Sequence, residues 1–139
     1  MNKDNKTVLL VEDDDGNRRI IAEILEDLGY QVISEAGGSS ALSVIKRGVA
    51  IDLVITDYRM PDMNGLDLVM ELRRTQPNAP VIMMTAYGSI ENYFESMSLG
   101  VFEYVNKPLD KTEFERIVKK ALRKPGRNRD SLGSDSLEI

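Results

Sequence analysis

Hydrophobic positions along the chain follow two alternating rhythms. Short continuous apolar runs are separated by longer stretches in which apolar residues recur every three or four positions. "TVLLV" at Thr7–Val11 is the first run and is rich in β-branched residues. "NRRIIAEILEDLG" over 17–29 sets Ile20, Ile21, Ile24, Leu25 and Leu28 on one helical arc, with Gly29 as a stop signal. The alternation continues. "YQVISE" (30–35) predicts a strand and "SSALSVIKRG" (39–48) a short helix. "DLVIT" (52–56) predicts a third strand, and "GLDLVMELRRTQP" (65–77) a helix with Leu66, Leu68, Val69 and Leu72 inward, closed by Pro77. "PVIMMTA" (80–86), "SIENYFESMSLG" (89–100) and "VFEYVN" (101–106) predict strand, helix and strand. The last helix is "DKTEFERIVKKALRK" (110–124), where Asp110 can cap and the order of acids then bases suits the helix dipole.

Five strand–helix units predict an α/β fold: a five-stranded parallel sheet, doubly wound, with helices on both faces. Continuous apolar strands fit burial on both faces better than alternating ones would. In such sheets ligands bind outside the carboxyl ends of the strands, at a topological switch point. From "PGRNRD" onward the periodicity is lost. The expected organisation is one domain over 1–124 followed by a flexible tail or truncated linker over 125–139.

Composition narrows the chemistry. The 139 residues suit one core, and 42% hydrophobic with 29% charged residues is ordinary for a globular protein. The net charge of -5 and the lack of a long basic run argue against nucleic-acid binding by this chain. Cysteine is absent, which removes disulfides and thiolate chemistry, and histidine is absent, which removes the usual general base. Any metal must then be held by oxygen, which favours a hard ion such as Mg2+. No signal peptide or membrane-length apolar stretch is visible, so the expectation is a cytoplasmic protein without membrane association.

The polar residues that follow the strands carry the functional signal. The first strand ends in "EDDD" (12–15), the third in Asp57, the fourth in Thr85 and Ala86, the fifth in Lys107 and Pro108. In a parallel sheet all four converge on one rim. Glu12, Asp13 and Asp57 can hold a divalent ion together with waters and a backbone carbonyl. Lys107 adds a positive charge, Thr85 a hydroxyl, and Ala86 keeps the approach open. Such a set can bind phosphoryl oxygens around one carboxylate, and carboxylates can act as nucleophiles that form acyl phosphates. Each residue also has a plainer reading: Asp57 as a turn or helix cap, "EDDD" as a solvated N-cap, Lys107 as a surface lysine. The joint occurrence at four strand ends favours the site.

These elements together resemble the receiver domain of two-component response regulators, a CheY-like, flavodoxin-like fold. The matching segments are "VLLVEDD", "DLVITDYRMPDMNGLDL", "PVIMMTAYG" and "VFEYVNKPLD", in order and over roughly residues 6 to 123. The resemblance implies strand order 2-1-3-4-5 and a phosphoryl group accepted by Asp57 from a sensor histidine kinase or phosphotransfer protein. It implies metal binding by Glu12, Asp13, Asp57 and the Arg59 backbone carbonyl, with Lys107 on the phosphoryl group. It makes Thr85 and Tyr104 the switch pair, which alter the surface of the fourth helix, fifth strand and fifth helix to control an output. Pro108 matches a proline whose preceding peptide is commonly cis. Arg59 and Tyr87 lie two positions after Asp57 and Thr85, where the family tunes access of water to the phosphoryl group. Self-phosphorylation and self-dephosphorylation are the only catalysis implied, and a receiver homodimer is a further candidate partner. Within the family, "MTAYGSIE" and "FEYVNKPLD" look most like receivers of transcriptional activators with an ATPase output, or of stand-alone relay proteins.

Three other readings compete. A haloacid-dehalogenase-like phosphatase needs a second acid two residues after its nucleophile, where this chain has Arg59. A flavodoxin-like cofactor binder needs Ser, Thr and Gly after the first strand, where this chain has four acids. A receiver-like interaction module without phosphorylation would not need the intact Asp57, Thr85 and Lys107.

Overall fold

In the computed structural model, which describes residues 5–86 and 90–123, ten elements alternate without exception. The strands are β1 (Thr7–Val11), β2 (Gln31–Glu35), β3 (Leu53–Asp57), β4 (Val81–Thr85) and β5 (Glu103–Asn106). The helices are α1 (Asp15–Asp27), α2 (Gly38–Lys46), α3 (Gly65–Thr75), α4 (Ile90–Ser98) and α5 (Lys111–Arg123). The sheet order is β2-β1-β3-β4-β5 and every pairing is parallel. The expected fold and strand order are both observed. The tail expected over 125–139 lies outside the described residues, as does Tyr87.

Alternate side chains of the sheet feed two cores. Leu9, Val11, Val54, Val81 and Met83 face α2 and α3, where they meet Val44, Ile45, Leu68, Val69 and Leu72. Val8, Leu10, Leu53, Ile55, Ile82 and Met84 face α1 and α5, where they meet Leu25, Phe114, Ile117 and Val118. Burial of each such Leu, Ile or Phe side chain is worth about 1.5–3 kcal/mol. β3 and β4 are buried along their whole length, whereas the edge strands β2 and β5 are only partly buried. That gradient follows from neighbours on both sides in the centre and on one side at the edges.

Two sequence expectations are corrected. The apolar arc of α1 is narrower than the periodicity implied: Ile21 and Leu25 are buried, but Ile20 is 57% exposed. The third strand runs Leu53–Asp57, one residue later than the expected 52–56, so that Asp57 ends it within the sheet, paired in register with Met84.

Several polar side chains tie loops together over long sequence distances. The Arg73 guanidinium donates to the carbonyls of Ala79, Leu99 and Gly100, stitching the end of α3 to the turns before β4 and β5. Gln76 accepts from Ile51 N–H and donates to Val49 O, joining the turns at the opposite end of the sheet from Asp57.

Candidate functional site

The chain leaves β1 at Val11 and β3 at Asp57 side by side, because Val11 pairs with Thr56. β1 is where the strand order reverses, with β2 on one side and β3 on the other. The acids therefore collect at the switch point. Glu12 is fully buried and Asp57 is 4% exposed, while Asp13 faces solvent. One carboxylate oxygen from each of these three residues lies within 4.8 Å of the other two. Asp57 is thus not displayed on the rim but set into it.

Lys107 answers this charge. Its Nζ is 2.7 Å from Glu12 Oε1 and 2.7 Å from Asp57 Oδ1. The ladder to β4 anchors its backbone, with Lys107 N–H donating to Thr85 O at 2.7 Å; the peptide that follows, Lys107–Pro108, is cis. Burial works against the Lys107 ammonium, yet its bonds to Asp57 and Glu12 hold its pKa above the ordinary value. Burial pushes the Asp57 carboxyl up to about 7, and the neighbouring Glu12 charge adds to that, against the opposing pull of Lys107. One ammonium facing two buried carboxylates leaves a charge deficit that a divalent cation can fill.

The acidic run divides in two. Glu12 Oε2 accepts from Asp14 N–H, fixing the carboxylate's orientation. Asp14 caps α1 by accepting from Asn17 N–H at 2.8 Å, and Asp15 pairs with Arg18. The plain capping reading holds for Asp14, Asp15 is a solvated first-turn acid paired with Arg18, and the site reading is left to Glu12 and Asp13. Arg18 also donates to Glu12 O, which the sequence did not suggest.

Thr85 is buried at the end of β4, one residue past the partner of Asp57. Ala86 follows it and is exposed. Tyr104 is half-buried on β5; its hydroxyl is buried without a hydrogen-bond partner among the described residues, and its ring meets that of Tyr93 edge-on at 5.7 Å. Arg59 is exposed on the loop after β3, and Pro108 is exposed after β5. That loop closes tightly: Gly65 N–H donates to Tyr58 O, and a Cβ on Gly65 would stand 2.5 Å from Asp57 O. A second feature was missed by sequence reading. Asp62, in the same loop, accepts from Gly38 N–H and Ser39 N–H at the start of α2. The signal for it was a helix opening with two glycines and no capping side chain of its own.

The model of the response regulator receiver domain matches residues 8–119. The chain belongs to this family. It is the receiver domain of a two-component response regulator. Among its relatives, the transcriptional regulatory protein GlrR of Escherichia coli (strain K12) is 38% identical over 115 residues, covering 83% of this chain and 26% of that protein. The transcriptional regulatory protein ZraR of the same strain is 36% identical over 122 residues, covering 88% of this chain and 27% of that protein. The chain thus spans about a quarter of the length of these relatives. In structure it is similar to the non-phosphorylated HemR receiver domain from Leptospira biflexa, with TM-score 0.83, 30% identity and coverage of 91% and 99% of the two chains. It is similar also to a CheY-like receiver domain protein from Methanospirillum hungatei JF-1, with TM-score 0.81, 30% identity and coverage of 85% and 94%. Among the described residues of this receiver, no helix is long and apolar enough to cross a membrane.

The receiver's site fits a hard cation. Its donors are all oxygen, two of the three carboxylates are buried, and the chain holds no histidine or cysteine to attract a softer metal.

Proposed function

We propose that Asp57 is a phosphoacceptor that takes its phosphoryl group from a phosphohistidine on a sensor kinase or phosphotransfer protein. The observation that carries this reading is the buried Asp57 carboxylate held 2.7 Å from the Lys107 ammonium inside the Glu12–Asp13–Asp57 cluster. The three carboxylates and the Arg59 backbone carbonyl would hold Mg2+, which when bound would neutralise charge on the transferring group. The rest is done by the chain. Glu12 and Asp13 place negative charge where the cation binds. An Asp57 oxygen forms the new P–O bond as the P–N bond of the donor breaks and the imidazole leaves with the electron pair. Lys107 donates to a phosphoryl oxygen, and the Thr85 hydroxyl donates to another. Ala86 leaves space for the incoming group.

The donor's docking surface adjoins the site. A groove of about 680 Å³ runs between α1 and α5, lined by Asn17, Ile20, Ile24, Lys107, Pro108 and Phe114 among others. Ile20 stands on its rim, apolar and exposed, which suits packing against a partner's helix. Phosphorylation adds charge and acceptor oxygens beside Thr85 and Lys107. Thr85 then turns toward the phosphoryl group, Tyr104 fills the space it leaves, and the α4–β5–α5 surface changes to control the output. Neither Arg59 nor Tyr87 is an acid or amide suited to orient an attacking water, so the phosphorylated state decays slowly. The chain acts in the cytoplasm and contacts neither nucleic acid nor membrane itself.

The test is exposure of the purified chain to acetyl phosphate with Mg2+, read by intact mass. The wild type gains a phosphoryl adduct and Asp57→Asn, which keeps its fold by circular dichroism, does not. An Asp57→Asn chain that still gains the adduct overturns the assignment.

A further inference from the structure

The loop from Tyr58 to Asn64 connects β3 to α3 and contains Arg59, whose backbone carbonyl is the further ligand in the proposed cation site. Three moorings hold it. Tyr58 N–H donates to Met84 O at 2.7 Å, and Gly65 N–H returns to Tyr58 O at 2.7 Å. The third lies outside the loop's own strands. The Asp62 carboxylate accepts from Gly38 N–H at 3.1 Å and Ser39 N–H at 2.8 Å, across 24 and 23 residues of sequence.

This contact replaces a missing part. The N-cap of α2 is Gly37, which has no side chain to accept the first-turn N–H groups. Orphan donors at a helix start are normally satisfied by a Ser, Thr, Asp or Asn at the cap itself. Here the carboxylate comes from the β3–α3 loop instead. The glycines are what admit it: a Cβ on Gly37 would lie 3.2 Å from Asp62 Oδ2, and one on Gly38 would lie 2.2 Å from Met63 Cγ. Met63 also packs against the core shared with α2. The Ser39 and Gly38 N–H groups hold the Asp62 carboxyl down at about 2, so the mooring stays charged at neutral pH. Asp62 is itself outside the carboxylate cluster of the site.

We propose that Asp62 is a positioning residue for the cation site, tying the loop that carries the Arg59 carbonyl to the first turn of α2. The inference rests on the metal-assisted reading above and goes beyond it by assigning a role to a residue that touches neither metal nor phosphoryl group. Groups that orient metal ligands typically control affinity by 10–100-fold. Asp62 acts through a backbone segment and not on a ligand side chain, so the low end of that range, roughly tenfold, is expected.

The experiment measures Mg2+ affinity of the chain by calorimetric titration, with thermal stability recorded in parallel. Asp62→Ala weakens Mg2+ binding, and Asp62→Asn, which keeps an acceptor for one N–H, recovers part of the loss. Gly38→Ala, on a different element, weakens it too by forcing Met63 and the loop outward. Asp52→Ala serves as the control: Asp52 accepts from Thr7 N–H at the far end of the sheet, so its loss lowers stability and leaves Mg2+ affinity unchanged. Mg2+ affinity at the wild-type value in both Asp62→Ala and Gly38→Ala overturns the inference alone. Affinity that falls equally in Asp52→Ala reduces Asp62 to a general stabiliser and also overturns it. A wild-type chain that binds no Mg2+ overturns the metal reading, and the inference with it.

Discussion

Asp57 is the residue at which stability and function pull in opposite directions. Its carboxyl titrates near 3.8 when solvated and about 7 in the folded chain, chiefly because it is buried. Between these values the folded state holds a proton that the unfolded state has released. Stability of the metal-free chain therefore falls as pH rises from about 4 through about 7 and levels off above. Asp57→Asn should remove most of that slope and melt above the wild type at alkaline pH without Mg2+; added Mg2+ should close the gap by stabilising only the wild type. Thermal midpoints of both chains across this pH range check it, and a wild-type curve as flat as the variant's rejects it. Gly65 is constrained in a different way. A Cβ there meets Asp57 O at 2.5 Å and Met83 Sδ at 2.7 Å. Gly65→Ala should cost about 1–3 kcal/mol, as overpacking does, and lower phosphoryl uptake because the end of β3 must move. Urea unfolding and the acetyl phosphate assay read the two effects separately.

At the level of elements, α1 shows how periodicity and burial part company. Ile20, Ile21, Ile24, Leu25 and Leu28 share an arc in sequence, yet only Ile21 and Leu25 are buried. An arc covers more of the helix than one neighbouring sheet can bury, and which edge stays open depends on where α5 lies. Ile20 belongs to the open edge, on the groove beside Lys107. Ile20→Ala should change stability by no more than about 0.5 kcal/mol, as exposed substitutions do. Phosphotransfer from the cognate kinase should slow, while uptake from acetyl phosphate stays at the wild-type rate. A large loss of stability with unchanged transfer would show that Ile20 is core.

For the molecule as a whole, the proposed switch is a population shift, limited by how differently the phosphoryl group interacts with the two states. Tyr104 enters this balance with its hydroxyl buried and unpartnered among the described residues, a position that carries a cost. Structures with and without beryllofluoride on Asp57 should differ at Thr85 and along α4 and β5; an unmoved Thr85 with the mimic bound rejects the coupling. Much of this architecture was legible in the chain alone. The alternation of apolar runs and helical arcs implied the doubly wound parallel sheet, because each rhythm reflects a local geometry that neighbours cannot change. The placement of Glu12, Asp57, Thr85 and Lys107 at strand ends implied a common rim for the same reason. Tertiary structure alone decided the rest. It set Lys107 between two carboxylates, left Asp14 to cap α1 and Asp15 to pair with Arg18, left Ile20 exposed beside the groove, and brought Asp62 to α2 and Arg73 to the carbonyls of two separate turns. Those outcomes depend on which surfaces meet across 20 or more residues of chain in most cases, and on how much water the meeting excludes, neither of which a local pattern records.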